Sequence, residues 1–383
     1  MAPTTRRTAL KTAAVIAASF INRNRYALFA QSQQQYSERA TRLVRESLVV
    51  DMLNQFLYRQ DMQPKLRQWF TKPSAFTQAD FENFRSSGIN AASFGNAAED
   101  YETGIRLFAD WNSFLAAHPD QLLRINSTGD FMRAKTSGRY GILFGLQNST
   151  HFRKPEDVDT FYGLGQRSGQ LTYNFRNLIG NGAFERNDDG ISEFGVRIIE
   201  RMNRIGMAVD CGHAGDRTML DAFELSKKPV IISHGNCRAL YPDYPRCVTD
   251  EAIKAMAKTG GVIGMNFISS MVKPHEPTTV DDVLDHFDHV RDLVGVEHVG
   301  VGSDLGIESN DFMAPDLLAK MLAGMNPKYR VHHREAVEHL DHPKRIYDLT
   351  EGFIRRKYTD EHIRLILGEN WRRVLAEVWI PAA

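Results

Sequence analysis

The chain has 383 residues with 47 basic and 47 acidic side chains, 42% hydrophobic and 25% charged. That is a globular composition, not one of a collagen, a coiled coil or a disordered chain, and zero net charge argues against a nucleic-acid binder, whose domains are usually basic. No apolar run reaches the roughly 18–20 residues that span a bilayer, and three cysteines are too few for a disulfide scaffold.

The first 30 residues carry Arg6, Arg7, Lys11, Arg23 and Arg25 and no acid, and the remainder holds 42 basic and 47 acidic groups, a net charge of −5. Thr-Arg-Arg-Thr-Ala-Leu-Lys followed by the short apolar stretch 12–21 is the pattern of a twin-arginine export signal. It predicts a periplasmic or secreted protein, with a signal over 1–30 and one folded domain over 31–383. Cleavage would follow Ala30, although Leu28 stands where a small residue is preferred. The alternative is an uncleaved amphipathic tail.

Beyond it, short β-branched or apolar runs recur at 47–51, 89–94, 140–147, 170–173, 207–211, 230–234, 262–267 and 298–304. Patterns of helical period lie between most of them, among them 193–204, 280–293 and 249–258, the last with Thr249 as N-cap. Eight strands alternating with helices predict a parallel sheet, and eight is the number that closes a (β/α)8 barrel. An open doubly wound sheet is the alternative. Residues 346–379 read as a C-terminal helical cap, and no Gly/Pro/Ser-rich linker divides the chain.

In such a barrel the chemistry lies at the C-terminal ends of the strands. Those ends hold Asp51, Leu53 and Gln55, then Gln147, Tyr173 and Asn174, then Asp210, Cys211 and His213, then Ser233 and His234, and finally Ser303 and Asp304. Two histidines and an aspartate on nearby strand ends can converge. Imidazole suits zinc, and a carboxylate can hold a metal or deprotonate its water. The bland reading of each histidine is a hydrogen-bonded structural role.

FGVRIIERMNRIGMAVDCGHAGDRTMLDAFELSKKPVIISHGNCRAL at 194–240, PRCVTDEAIKAMAKTGGVIGMNF at 245–267, GVEHVGVGSDLG at 295–306 and LGENWRRVL at 367–375 resemble blocks of the renal (membrane) dipeptidase family, zinc peptidases on an amidohydrolase-like barrel. SLVVDMLNQF and GILFGLQNS fall where its first and third strand motifs belong. The resemblance covers about residues 40–380. It implies that His213 and His234 are a metal-binding pair, that Asp304 is the strand-eight aspartate, and that Arg246 holds a substrate carboxylate. Gln147, Tyr173 and Asn174 would complete substrate binding, and the family's bacterial members imply a homodimer.

The rest departs from the family pattern. The strand-one motif Asp-Gly-His-Asn-Asp, whose His and last Asp bind metal, reads Asp51-Met52-Leu53-Asn54-Gln55 here. The bridging glutamate is Gln147, and the substrate-contacting histidine of strand four is Tyr173. Two zinc ions need carboxylates to offset their repulsion, and only Asp304 survives, so a second zinc is not expected. One zinc on His213 and His234, helped by Asp304, Gln147 or water, and no metal at all both stay open.

Two readings follow. One is a divergent hydrolase of a small peptide or amide-like substrate, with Asp304 as base and Tyr173 as donor. The other is an inactive accessory protein that binds a peptide-like metabolite or a partner in the periplasm. Cys211, Cys237 and Cys247 fall beside site positions and could be nucleophiles or ligands, but space filling is the simpler role. His286 and His289 are expected on a solvated helix face, and His332, His333, His339 and His342 in a solvated Arg- and Glu-rich segment.

Overall fold

A computed structural model describes residues 36–56, 64–275, 277–307 and 337–379. The expected export signal at 1–30 lies outside them, as do His332 and His333. The chain divides into Met1–Glu38 and Arg39–Ala383, and the barrel lies in the second.

Ten strands are described: β1 (Val50–Phe56), β2 (Ala91–Phe94), β3 (Leu122–Ile125), β4 (Tyr140–Leu146), β5 (Gln166–Gln170), β6 (Ala208–Asp210), β7 (Ile232–Gly235), β8 (Ile263–Met265), β9 (Val299–Val301) and β10 (Leu305–Gly306). Eight of them run in the order β6-β5-β4-β2-β1-β9-β8-β7, and a parallel bridge between Asp210 and Ile231 brings the two ends of that path together. Every strand pairing is parallel. The architecture is therefore the (β/α)8 barrel, not the open doubly wound sheet. Two short strands were not legible in the sequence. β3 takes the first half of β4's edge, where β5 takes the second, and β10 adds to β1.

Strand limits move where the pattern was misleading. β1 spans Val50–Phe56 rather than 47–51, so Leu53 and Gln55 sit within it. The fourth barrel strand is Gln166–Gln170 rather than 170–173, which leaves Tyr173 and Asn174 in the loop beyond. That strand, QRSGQ, has no apolar alternation. It is a strand because β4 and β6 offer it ladders on both sides, a tertiary effect that overrides propensity.

The helices follow their caps. Ser192 accepts from Gly195 N at the head of Glu193–Ile205, and Thr249 from Ala252 N at the head of Asp250–Lys258. Thr279 and Asp282 form a capping box for Val280–Val294. The C-terminal cap comprises Arg345–Arg355, Asp360–Arg364, a π turn at Leu365–Glu369 and Asn370–Val378. Within it the Trp371 indole donates to Val301 O at 3.1 Å, and the Asn370 amide donates to Val296 O and Val299 O at 2.8 Å each. These bonds fasten the cap to β9. His286 corrects the expected solvated face. It is buried, accepts from Cys237 N at 3.0 Å and meets Val272 O at 3.0 Å. His289 pairs with Asp250 at 2.8 Å.

Two glycines set the spacing at the mouth. A Cβ on Gly264 would lie 2.2 Å from the Ser233 carbonyl oxygen, and one on Gly302 would lie 2.0 Å from it. Only glycine lets the ends of three strands close around Ser233 in this way. The fully buried Asp51 carboxylate ties β1 to the turn that follows β9, accepting from Ser303 N at 2.8 Å, Ser303 Oγ at 2.5 Å and, within β1, Asn54 Nδ2 at 2.9 Å. Burial raises its pKa, against those hydrogen bonds.

Candidate active site

His213 lies three residues beyond the end of β6, and His234 lies in β7. Their rings meet with centroids 4.8 Å apart at 60°. His213 adopts the left-handed region at φ 62°, a conformation that costs a non-glycine residue on the order of 1–3 kcal/mol, and its carbonyl accepts from Ala183 N at 2.8 Å. Its Nδ1 lies 2.7 Å from Asn174 Oδ1, so that nitrogen carries the proton. Tyr173 stacks on the ring with centroids 4.1 Å apart.

His234 is held by a relay. Its Nδ1 lies 2.9 Å from Ser233 Oγ, and the Ser233 hydroxyl also bonds the Asp210 carboxylate. Asp210 Oδ1 further accepts from Ser233 N and Gly212 N, both at 2.9 Å. A hydroxyl that donates to Asp210 must accept from His234 Nδ1–H. In both rings this leaves Nε2 as a lone pair, buried and without a partner among the described residues. Burial, then the Arg246 charge, holds both imidazoles well below the usual histidine pKa, and His234 pushes His213 down further.

Asp304 also has a left-handed backbone, at φ 60°, fixed by its N–H donating to Leu53 O at 2.8 Å. Gln55 Nε2 donates to one carboxylate oxygen, and Asn266 Nδ2 donates to the other at 3.0 Å. Burial raises its pKa to about 6, against the Gln55 bond, the Arg246 charge and the Asn266 bond. Arg246 is 2% exposed. Its Nη2 donates to His234 O at 3.3 Å, while Nε and Nη1 have no partner among the described residues. Gln147 Nε2 donates to Gly95 O at 2.8 Å and leaves Oε1 unpartnered. A Cβ on Gly95 would lie 2.6 Å from Gln55 Oε1 and 3.0 Å from Gln147 Nε2, so the two glutamines flank one point. Leu53 is 3% exposed yet belongs to neither of the large apolar clusters.

The membrane dipeptidase profile, peptidase family M19, matches residues 37–326. The chain belongs to the membrane dipeptidase family. It resembles an uncharacterized dipeptidase of Schizosaccharomyces pombe, 35% identical over 179 residues, 46% of this chain and 43% of that one. The dipeptidase tcpJ of Claviceps purpurea is 29% identical over 271 residues, 70% of this chain and 57% of that one. The chain spans about half the length of the curated relatives it matches. Among solved structures, an amidohydrolase from Pseudomonas aeruginosa superposes with TM-score 0.77 at 28% identity, covering 89% of this chain and 99% of that one. A metallo peptidase from Rhodobacter sphaeroides carrying a phosphinate mimic of L-Ala-D-Ala shares the fold, with TM-score 0.69 at 16% identity over 86% and 99% of the two chains.

Membrane dipeptidases are zinc enzymes, so the donor set must be compared with zinc. Catalytic zinc takes three protein ligands as a rule. Here the two Nε2 atoms face inward with their second nitrogens anchored, as metal-bound histidines are. No third donor joins them: among the described residues no group of three or more His, Cys, Asp or Glu could hold a metal ion. Both Asp304 oxygens are engaged by amides, and the positions that the resemblance leads one to expect as further ligands carry Leu53, Gln55 and Gln147. A buried guanidinium beside the imidazoles further opposes a dication. The described residues do not fit the family's dinuclear centre.

The cysteines are buried and free. Burial pushes Cys211 and Cys237 well above the usual thiol pKa and Cys247 up to about 12, so none is a thiolate nucleophile. Sequence reasoning named Asp210 and Ser233 as strand ends without a role and missed Asn266 and Gln170. Their signal is a polar side chain at or just beyond a strand end, Gln170 closing Gln166–Gln170 and Asn266 following Ile263–Met265. No helix among the described residues is long and apolar enough to cross a membrane.

Proposed function

We propose that this membrane dipeptidase family member acts on a small, carboxylate-bearing peptide or amide-like molecule through a mouth that has given up the dinuclear zinc centre. One observation carries the reading. Two imidazole lone pairs and two guanidinium nitrogens stand buried with no partner among the described residues, and unpaired buried polar groups of this kind are costly unless a ligand uses them. Arg246 takes the substrate carboxylate on a pair of parallel N–H groups, the fork geometry that guanidinium offers. Asp304 with a pKa of about 6 is ionised at neutral pH and weak enough as an acid to serve as a general base. It accepts a proton from the attacking water while Tyr173, stacked on His213, donates to the substrate. At Nε2, His213 and His234 accept hydrogen bonds from the ligand and do not donate them.

Export by a twin-arginine signal would place this work in the periplasm or outside the cell. The test is isothermal titration of protein of known zinc content with alanylalanine and its C-terminal amide. The expected result is binding that needs the free carboxylate and is lost in Arg246→Met, with less than one zinc per chain. Equal binding of the amide, or two zinc ions per folded chain, would overturn the reading.

A further inference from the structure

Toward a ligand the two imidazoles can accept but not donate. His213 Nδ1 is committed to Asn174 Oδ1 at 2.7 Å and His234 Nδ1 to Ser233 Oγ at 2.9 Å, so each Nε2 presents a lone pair. Gln170, at the end of β5, adds a third acceptor. Its Nε2 donates to Thr172 O at 2.8 Å, which leaves Oε1 buried and unpartnered among the described residues. Gln170 Oε1 and His234 Cε1 lie 2.8 and 3.1 Å from the point where a Cβ on Gly212 would stand, so the amide oxygen borders the edge of the imidazole. Two imidazole lone pairs on adjoining rings, with a buried amide oxygen beside one of them, call for a ligand group with several N–H donors and a positive charge.

We propose that the place zinc holds in related enzymes is here the seat of the ligand's own ammonium group. The site would then select small zwitterions, unblocked amino acids or dipeptide-like compounds with a free amine a few bonds from a free carboxylate. This rests on the reading of Arg246 as the carboxylate site. An ammonium has three N–H donors for the two Nε2 atoms and Gln170 Oε1. Its single charge is offset by Asp210 behind Ser233 and by Asp304, and the ligand's own carboxylate neutralises the Arg246 guanidinium beside the imidazoles. A zinc ion at the same nitrogens would bring twice that charge and lack a third protein ligand. Zinc and ligand therefore compete instead of cooperating.

The experiment compares alanylalanine, N-acetyl-alanylalanine and alanylalanine amide by calorimetry on the full chain, with and without added zinc chloride. N-acetylation removes the charge and leaves one N–H, so it should weaken binding by at least about 30-fold, and zinc should raise the apparent Kd of the free dipeptide. In Gln170→Leu and His234→Gln the free-to-acetylated ratio should fall below about 5-fold while the demand for a carboxylate persists. The Gln170 variant decides the matter if the histidine variant fails to fold. Equal binding of the acetylated compound, or zinc that tightens binding, would overturn the ammonium seat and leave the carboxylate reading standing. Loss of discrimination against the amide would overturn the carboxylate reading itself.

Discussion

Replacing Leu53 by His, Gln55 by Asp and Gln147 by Glu together should create a zinc site and destabilise the metal-free protein. At present Gln55 Nε2 donates to Asp304, and Gln147 Nε2 donates to Gly95 O at 2.8 Å. A carboxylate at 55 turns the first contact into a like-charge pair, which costs about 4 kcal/mol at ~4 Å and an effective dielectric of ~20. A glutamate at 147 loses the donor to Gly95 O, at about 1–3 kcal/mol. The metal-free triple variant should therefore lose on the order of 5 kcal/mol, a fall of roughly 10 °C in Tm. Zinc reverses the sign, because the same carboxylates become counter-charges and the new imidazole is a third nitrogen ligand. One contact of about 4 kcal/mol corresponds to about 10³ in affinity. Thermal scans with and without zinc, and elemental analysis after dialysis, read both effects. A metal-free triple variant that melts with the wild type, or a wild type that holds zinc as tightly, would refute the reasoning. Turnover should lag behind metal binding, since Tyr173 still stands where the family has a histidine.

Wild-type protein supplied with zinc should hydrolyse simple dipeptides well below the ordinary 1–1000 per second; a rate inside that range in a peptide-release assay would show that His213, His234 and Asp304 suffice. The pH dependence of stability follows from two opposed shifts. His213 and His234, with depressed pKa values, contribute stability that is present above about pH 6.5 and lost as pH falls through their folded values. Asp304, raised from 3.8 to about 6, contributes in the other direction, gaining about 3 kcal/mol as pH falls from 6 to 3.8. Asp304→Asn should therefore lose stability more steeply than wild type between those pH values, and parallel Tm-against-pH curves would contradict the shift. Asp51→Ala removes the acceptor of three buried hydrogen bonds and should cost about 3–5 kcal/mol in urea unfolding, where a loss below 1 kcal/mol would show that β1 does not depend on that carboxylate. Gly302→Ala drives a Cβ to 2.0 Å from Ser233 O and should cost about 3 kcal/mol or more, or prevent soluble expression.

The barrel was legible because its pattern is local. Apolar runs separated by capped amphipathic helices need nothing but residue periodicity and end signals, and Thr249 and Tyr140 stand where the pattern put them. His213, His234 and Asp304 stand out in the sequence because they lie at strand ends, and Arg246 because it falls in a block that resembles the family's. Other features required the fold itself. Gln166–Gln170 is a strand only through its neighbours, and β3 and β10 exist because an edge of β4 and of β1 was open to them. His286 reads as a surface residue on its own helix and is buried because the turn at Val272 and the Cys237 amide close over it. Above all, the sequence listed residues at the mouth but not their protons. Ser233 between Asp210 and His234, Asn174 on His213, and two amides on Asp304 decide which atoms donate, which accept and which carboxyl stays near pH 6. Apart from the neighbours Ser233 and His234, those contacts join residues 23 to 249 positions apart, and only tertiary packing brings such groups within hydrogen-bonding distance.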